Sequence, residues 1–454
     1  MSATPQQLEI VEKFKTGNSL AVRAVAGSGK TTTLVMAFQF APQDSLCVAF
    51  NKKNSEDLAA KMPAHVVSKT MNALGHAAWK KHTGKFLKLD ASKLYTLLKS
   101  APFYKEIKDD ANDVVRMVRL AKSFGISSGW NLPATDAESW IDLSEDYDIE
   151  SASNLLPYSQ WLLQENCKTA FQGLIDFDDQ IYMSVMYGSP FQRYSCVAVD
   201  EAQDLSTLQH RMIEKSLKKD GQLVIVGDPN QAIYAWRGAS SNSFHELTEK
   251  FKLDALGLTY SFRCPRSVVG EAKKYVPDIE AASSEEGSVT LSSAFIEPAP
   301  GIAVISRTNA PLIKLAFTSI RNRLAVNYSG KDFLTGIKAL DKKYPTLQAL
   351  ESWRDAELAK KSNEAKTIRI LDRFEALAVL HESGNVKESI KKLTETPVEQ
   401  SLILSTIHKA KGMEWDNVVY LDYNKQWKGE QEDNVKYVGV TRAKRTLLLQ
   451  EKQQ

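Results

Sequence analysis

The chain has 454 residues, enough for two to four domains with separate cores, and its 43% apolar and 25% charged residues are ordinary for a globular protein. The net charge is only +3, so any nucleic-acid binding would depend on local basic patches. Four scattered cysteines argue against a zinc site and a disulfide framework. The lack of long apolar runs argues against a signal peptide and against membrane spans. We therefore expect an intracellular protein (cytoplasm or nucleoid) without a membrane partner.

The first 70 residues have an α/β pattern. The runs SLAVRAVA (19–26) and SLCVAF (45–50) are short and apolar, which predicts buried strands, and a helical pattern follows each of them. From about residue 71 to 175, apolar residues recur at spacings of three and four. This change of period predicts a helical insertion.

Strand-like runs return at CVAVDEAQD (196–204) and LVIVGDPNQ (223–231), which are expected to complete the first sheet. A second α/β region is predicted to begin near IAVISRTN (302–309) and to resume at NVVYLDY (417–423). The intervening part, 335–395, is charged and helical in pattern, which indicates a second, smaller insertion.

The segment AVAGSGKTTT, which starts at Ala24, lies between a predicted strand and a predicted helix, as a phosphate-binding P-loop does. Gly27 and Gly29 would let the backbone approach a phosphate at a helix N-terminus. Lys30 would reach the β- and γ-phosphates, and the Thr31 hydroxyl would bind Mg²⁺. One departure from the strict pattern is the alanine at the first glycine position. The other expected cradle residues are Ala26, Ser28 and Thr32.

An acidic pair follows the predicted strand in CVAVDEAQD. Asp200 would hold Mg²⁺ directly or through a water, and Glu201 would orient and deprotonate the attacking water. A solvated Asp-Glu turn is the alternative for the pair taken alone. Together with the P-loop upstream, the pair predicts hydrolysis of ATP.

Longer motifs point to a family. The segments VDEAQD, GDPNQAIYAWRGA, STIHKAKGMEWD and YVGVTRAK resemble, in order and spacing, motifs of UvrD/Rep/PcrA-like superfamily 1 DNA helicases, and the resemblance extends from Gln7 to Lys444. AVAGSGKTTT and EDNVKYVGVTRA favour the branch near the F-box DNA helicases. The resemblance implies an α/β fold with two RecA-like P-loop domains, each with a mainly parallel sheet and a helical insertion. The implied ranges are 1–70 and 176–262 for the first domain, 71–175 for its insertion, 263–334 and 396–454 for the second domain, and 335–395 for its small insertion.

The resemblance also implies nucleotide contacts. Gln7 matches the glutamine that reads the adenine edge, and Gln231 matches the γ-phosphate sensor. Arg263 matches an arginine on the γ-phosphate, and Arg442 matches the arginine finger of the second domain. A lone arginine is more often part of a surface ion pair, but the motif context favours the functional role. Two further contacts are implied, Phe262 where the family usually has a tyrosine on adenine, and Glu414 on the ribose.

On the nucleic-acid side, the resemblance implies contacts with a single strand. Aromatic faces stack on any base at roughly 1–3 kcal/mol each, and phosphate contacts add a salt-dependent part. The loop VGDPNQAIYAWRGA (226–239) would therefore join a phosphate sensor to a stacking surface. The run WKKHTGKFLK (79–88) could flank the strand or form a solvated helix–turn. The implied DNA-contacting residues are Phe50, Thr70, Tyr234, Trp236, Arg237 and His408.

These features predict an ATP-dependent single-stranded DNA translocase and DNA helicase, with 3′–5′ polarity taken from the resemblance. The expected cofactors are ATP and Mg²⁺, and the expected partners are single-stranded DNA and tailed or forked duplexes, with the chain acting as a monomer that accessory proteins could join. Two alternatives remain. One is a non-motor, ATP-gated protein that binds single-stranded DNA, whose residues would be nearly identical. The other is a subunit of a larger helicase complex.

Overall fold

The computed structural model describes residues 3–49, 51–147, 149, 152–234, 238–240, 242–293, 299–359, 364–382, 384–394, 401–427 and 431–451. The chain divides into two compact units, Met1–Ala24 with Gly29–Leu258, and Val25–Ser28 with Thr259–Gln454. Each unit contains a parallel sheet, which confirms the predicted α/β class. Within the described residues, no helix is long and apolar enough to cross a membrane.

The first unit is built on a sheet whose recorded pairings are all parallel. The carboxyl ends of its strands therefore lie along one edge, where loops of α/β proteins carry ligand sites. The predicted strands are confirmed. In sheet order they are β3 (Val66–Thr70), β2 (Ser45–Ala49), β6 (Tyr194–Val199), β7 (Leu217–Gly227), β1 (Leu20–Ala24) and β8 (Asp254–Leu258).

Helices cover both faces of this sheet, and their termini follow from local sequence. Thr4 and Gln7 form a capping box at the first helix, and Gly29 begins the second with a left-handed φ of 77°. Outside the insertion, the helices are α1 (Pro5–Lys15), α2 (Lys30–Phe38), α3 (Lys52–Ala59), α9 (Phe177–Met186), α10 (Thr207–Ser216) and α11 (Ser243–Phe251).

Helices dominate the segment between β3 and α9, as the sequence period indicates. Their apolar faces share one hydrophobic core with a face of the sheet, with Val114 and Leu162 packing in the same cluster as Val48 and Val197. A short pair of strands, β4 (Lys88–Leu89) and β5 (Leu174–Ile175), ties the two ends of the segment together. The helices are α4 (Met71–Thr83), α5 (Lys93–Lys99), α6 (Ala111–Phe124), α7 (Ala137–Asp146) and α8 (Ala152–Phe171).

A cluster of charged side chains is buried where these helices meet α9. Lys122 lies 2.7 Å from Asp176 and 2.8 Å from Asp179, and Lys93 lies 2.7 Å from Asp179. Asn166 donates a hydrogen bond to Asp179 at 2.6 Å. These five side chains are almost wholly removed from solvent. They join α5, α6 and α8 to the N-terminus of α9.

The second unit has its own parallel sheet. Apolar side chains of the central strands, such as Val304 and Leu404, lie in a core that also contains residues of the covering helices. In sheet order the strands are β11 (Ser288–Ser292), β16 (Ala443–Gln450), β15 (Trp415–Tyr420), β12 (Ile302–Ser306), β14 (Leu402–Thr406) and β13 (Val326–Tyr328), and a separate pair is β9 (Tyr260–Ser261) with β10 (Glu280–Ala281).

The segment between β13 and β14 is helical and packs into this second core. Leu350, Leu377 and Ile390 lie in the same cluster as Val304 and Val326. The segment therefore shares the core of its unit. The helices of the second unit are α12 (Arg266–Ala272), α13 (Ala310–Arg321), α14 (Lys331–Lys343), α15 (Leu347–Ala359), α16 (Glu364–Glu382), α17 (Val386–Thr394), α18 (Ile407–Ala410) and α19 (Glu432–Val440).

Candidate active site

Lys30 and Glu201 meet at the carboxyl edge of the first sheet. Lys30 is the first residue of α2, and its Nζ donates to Glu201 Oε1 at 2.7 Å. Burial alone would lower the pKa of the Lys30 ammonium, but Glu201, Asp200 and Asp228 outweigh it and raise that pKa above its ordinary value. The lysine is therefore a fixed positive charge among three carboxylates.

Asp200 and Glu201 follow β6 directly. Asp200 is only 7% exposed, and burial together with Glu201 raises the pKa of its carboxyl to about 6, against the opposing effect of Lys30. Glu201 has a left-handed backbone, with φ 55° and ψ 43°, which is costly for a residue with a side chain. Its carboxylate contacts both Lys30 and Gln203, which lies in the following 3₁₀ turn.

A path of hydrogen bonds runs from Lys30 to Gln231. Gln203 Nε2 donates to Glu201 Oε2 at 2.6 Å, and Gln203 Oε1 accepts the Asp228 N–H at 3.1 Å. Gln231 Nε2 donates to Asp228 Oδ2 at 2.7 Å. Gln203 is 1% exposed and Asp228 is wholly buried, so these contacts lie in a region where hydrogen bonds are strong.

Gln203 and Asp228 were not predicted as site residues. Both lie inside motifs that drew attention in the sequence, VDEAQD and GDPNQ, so the signal was their place beside Glu201 and Gln231. Gly227 belongs to the same arrangement. A Cβ there would come within 2.4 Å of Gln203 Oε1, so a larger residue would displace the Gln203 amide from this position.

Gln7 lies beside the start of α2. Its Nε2 donates to Thr33 Oγ1 at 3.2 Å, and Thr33 Oγ1 donates to the carbonyl of Gly29 at 3.1 Å. Gln7 Oε1 accepts the N–H of Thr4 at 3.0 Å, so the amide is held at both ends. The side chain is thus fixed next to the glycine-rich turn, as a residue that reads a base beside the phosphates would need to be.

The glycine-rich turn has the features of a phosphate cradle. Gly27 and Gly29 both have left-handed φ values, 73° and 77°. Ser28 Oγ is buried with no partner recorded for it, a donor that a phosphate oxygen would satisfy. For Mg²⁺, the nearby candidates are the Thr31 hydroxyl and the Asp200 carboxylate, and hard oxygen ligands of this kind suit that ion. These residues fit a phosphate–Mg²⁺ ligand.

In the second unit, two of the predicted nucleotide residues bind each other. Arg263 Nε donates to Glu414 Oε2 at 2.6 Å, and its Nη1 reaches the carbonyl of Thr441 at 3.4 Å. Phe262 is 36% exposed. Its N–H donates to the carbonyl of Gly27, which belongs to the same unit. The ring of Phe262 is thus accessible for stacking.

Arg442 is buried in the second unit. Its Nε donates to the carbonyl of Val438 at 2.8 Å, its Nη1 to the carbonyl of Met413 at 2.9 Å, and its Nη2 to Thr441 Oγ1 at 3.2 Å. The guanidinium is 1% exposed. Its role as an arginine finger stays a prediction.

Part of the expected DNA-binding surface lies around a cavity of about 330 Å³ in the first unit. Tyr234 lines this cavity together with Asn72, Lys122 and Asp200. Thr70 lies next to it as the N-cap of α4, where its hydroxyl accepts the N–H of Ala73. A side chain from the loop 226–239 and the candidate Mg²⁺ ligand therefore line the same space.

The other predicted DNA residues do not line this cavity or lie outside the described part of the chain. His408 in the second unit is half-buried, and burial, with help from Arg307 and Lys411, lowers the pKa of its imidazole to about 3, so the ring is neutral near pH 7. Three predicted contacts, Phe50, Trp236 and Arg237, lie outside the described residues.

The sheet, the glycine-rich turn and the acidic strand end define a P-loop protein of the α/β class. Residues 3–252 match the model of the UvrD/REP helicase N-terminal domain, and residues 401–450 match that of the UvrD-like helicase C-terminal domain. The first match covers more than half of the chain. The chain belongs to the UvrD/REP helicase family, which confirms the resemblance and the two RecA-like domains.

Curated relatives carry helicase names. F-box DNA helicase protein 1 of Schizosaccharomyces pombe is 27% identical over 98% of this chain and 57% of its own length. ATP-dependent DNA helicase UvrD2 of Mycobacterium tuberculosis is 24% identical over 95% of this chain and 76% of its own. A solved arterivirus nonstructural protein 10 (helicase) with DNA has a TM-score of 0.38 and 11% identity, over 98% of this chain and 63% of its own. The chain spans about half the length of its F-box relatives, 57% and 48%.

Proposed function

We propose that the protein is an ATP-dependent single-stranded DNA translocase and DNA helicase with 3′–5′ polarity. The observation that carries this proposal is the hydrogen-bonded path from Lys30 through Gln203 to Gln231. That path ends three residues before Tyr234 in the same loop. Loss of the γ-phosphate would alter the position of the Gln231 side chain. Because Tyr234 follows only three residues later, the same change would move the residues that would hold bases.

The proposed chemistry assigns one task to each side chain. Glu201 accepts the proton of the attacking water, and Lys30 stabilises negative charge on the terminal phosphates. Thr31 and Asp200 would hold Mg²⁺, which would supply further charge neutralisation. Gln231 hydrogen-bonds to the γ-phosphate, so the contacts that the loop 226–239 makes with the nucleotide differ between ATP and ADP. Such a difference in interaction is what allows a nucleotide to shift a conformational equilibrium.

The remaining assignments rest on the family. Arg263 and Arg442 are proposed to contribute charge to ATP from the second domain, and Glu414 to contact the ribose. The domain ranges inferred from the sequence, with insertions at 71–175 and 335–395, are part of the same proposal. The proposed partners are single-stranded DNA and tailed or forked duplexes, bound by a monomer.

Hydrolysis measured with and without single-stranded DNA tests this function directly. We expect single-stranded DNA to raise the ATPase rate, and we expect unwinding of 3′-tailed but not 5′-tailed duplexes. Lys30→Ala removes the phosphate-binding cation and should abolish hydrolysis. Trp236→Ala should keep basal hydrolysis and weaken the stimulation by DNA, because the loss of one stacked base costs roughly 1–3 kcal/mol.

The outcome also separates a motor from a clamp. A translocase displaces streptavidin from one end of a biotinylated oligonucleotide only, whereas an ATP-gated binding protein displaces it from neither end. An ATPase indifferent to DNA would contradict the proposed function. Unwinding confined to 5′-tailed duplexes would contradict the polarity.

Replacement of Gln203 tests the path itself. Gln203→Ala removes a hydrogen bond to the Glu201 carboxylate, worth about 1.5–3 kcal/mol, and a neutral one from the Asp228 N–H, worth about 0.5–1.5 kcal/mol. We expect kcat for ATP hydrolysis to fall roughly 10- to 100-fold with little change in KM, because the residue orients the base and does not contact ATP.

A matched control comes from the same unit. Gln222 on β7 also makes two hydrogen bonds, to the carbonyls of Phe14 and Asn18, but far along the strand from Asp228. Gln222→Ala should lower stability without lowering kcat. Equal effects of the two substitutions on kcat would show that Gln203 acts only through stability.

A further inference from the structure

One exposed aromatic side chain stands among lysines on the helical segment of the first unit. Phe86 is 83% exposed, the largest exposure of any large apolar residue in the described part of the chain. Trp79, the other aromatic of the run 79–88, is buried and donates its indole N–H to the carbonyl of Ala170. Phe86 is therefore the ring that this run offers to solvent, and the flanking lysines, all exposed, are Lys80, Lys81, Lys85 and Lys88.

This turn is the end of a stretch with one sign of charge. Residues 58–89 contain six lysines and three histidines and no aspartate or glutamate. The whole chain, in contrast, has 58 basic and 55 acidic residues. The basic turn, residues 80–88, is thus a local positive patch in a nearly neutral protein.

The basic turn is held in a fixed conformation. Lys85 Nζ donates to the carbonyl of Phe171 at 2.9 Å, and the Lys88 N–H donates to the carbonyl of Gly173 at 2.8 Å. Gly173 has a φ of 102°, and a Cβ there would come within 2.6 Å of the carbonyl oxygen of Phe86. A surface that is already ordered loses little entropy on binding.

Helix α4 connects the basic turn to the proposed DNA path. The helix has 13 residues and begins directly after Thr70, its N-cap. At about 1.5 Å per residue, the turn lies roughly 20 Å from Thr70. A contact here is beyond the nucleotides at Thr70 and would involve another part of the substrate.

We propose that the basic turn binds the duplex part of a tailed DNA, with lysines on the phosphates and Phe86 stacked on the exposed terminal base pair. This inference rests on the proposed helicase function. Lysine contacts with phosphates give affinity without sequence preference. Phe86 adds a ring that can stack on the face of a base, a contact that an acidic protein surface does not offer.

The geometry favours a duplex over a single strand. Sites for single strands combine a basic groove with several aromatic rings that stack successive bases. The basic turn has one exposed ring, and none of its residues lines the cavity beside Tyr234. A single ring amid lysines suits the end of a base stack, which a tailed duplex presents at its junction.

Binding of a 3′-tailed duplex and of its tail alone, measured by fluorescence anisotropy over a range of salt, tests the proposal. A tail of about ten nucleotides lies within the usual site size. We expect Lys81→Gln/Lys88→Gln to lower affinity for the tailed duplex about tenfold and to reduce the salt slope by about 2. Phe86→Ala should lower that affinity about tenfold at an unchanged slope, and Phe86→Trp should keep it.

Controls separate this site from the general function. The control variant Lys219→Gln/Lys252→Gln makes the same charge change at two exposed residues near the amino-terminal ends of β7 and β8. This variant should bind both substrates normally. All variants should keep the ATPase stimulation by single-stranded DNA, which also reports correct folding. The proposal would be overturned if the variants kept full affinity for the tailed duplex or lost equal affinity for both substrates. It would also be overturned if polyglutamate competed for the native protein as well as DNA does. Absence of stimulation in the native protein would instead count against the helicase function.

Discussion

Asp200→Asn is expected to abolish ATP hydrolysis and, at the same time, to raise the melting temperature of the first unit by several degrees. The catalytic loss follows from removal of the proposed Mg²⁺ ligand. The gain in stability follows from burial, which raises the pKa of Asp200 from its ordinary value to about 6. At neutral pH the buried carboxylate is ionised at a cost of about 3 kcal/mol relative to the unfolded chain, and asparagine avoids that cost.

The raised pKa of Asp200 also determines how the stability of the protein depends on pH. Because the folded-state pKa is raised, the native protein binds a proton more tightly than the unfolded chain between about pH 4 and 6. Its stability therefore falls as the pH rises through that window and is constant with respect to this group above it. The stability difference between Asp200→Asn and the native protein should be full above pH 6 and should vanish near pH 4.

Thermal unfolding and ATPase assays on the same preparations provide the measurement. Asp57→Asn removes an exposed carboxylate on α3 of the same unit and should change neither quantity. A lower melting temperature for Asp200→Asn at pH 7.5 would contradict the argument, because it would mean that Lys30 stabilises the carboxylate by more than burial destabilises it. Opposite effects on activity and stability are common where a site holds a charge for function.

The sequence was sufficient for those parts of the site that are contiguous. The P-loop and the Asp200–Glu201 pair each combine a buried strand with a turn of specific residues, so their chemistry can be inferred before any tertiary structure is known. The same holds for the strands themselves, whose apolar runs are short and bounded by turns.

Contacts between distant segments could not be inferred in this way. Lys30 and Glu201 meet across 171 positions, and the bridge through Gln203 depends on the neighbouring positions of β6 and β7. Likewise, the lysines of α5 and α6 have the sequence context of ordinary surface residues. Only the packing of α8 and α9 against these helices reveals that Lys93 and Lys122 are buried.

The second large effect is expected at this buried cluster. Lys122 Nζ contacts Asp176, Asp179 and Asn166 at 2.7, 2.8 and 3.2 Å. Burial alone would lower the pKa of Lys122, but the two aspartates outweigh it and raise that pKa above its ordinary value. Lys122→Met would leave two buried carboxylates with Lys93 as their remaining recorded cation, and we expect the first unit to lose about 3–5 kcal/mol of stability.

Two variants decide whether this loss comes from charge balance. Lys168→Met breaks a partly exposed pair with Glu165 and should cost less than about 1 kcal/mol. Asp176→Asn added to Lys122→Met restores one buried cation for one buried anion and keeps a residue that caps α9 well. The double variant should therefore recover much of the stability, as the non-additive term of a double-mutant cycle. If the two losses simply add, the cost lies in packing of the Lys122 side chain rather than in an uncompensated charge.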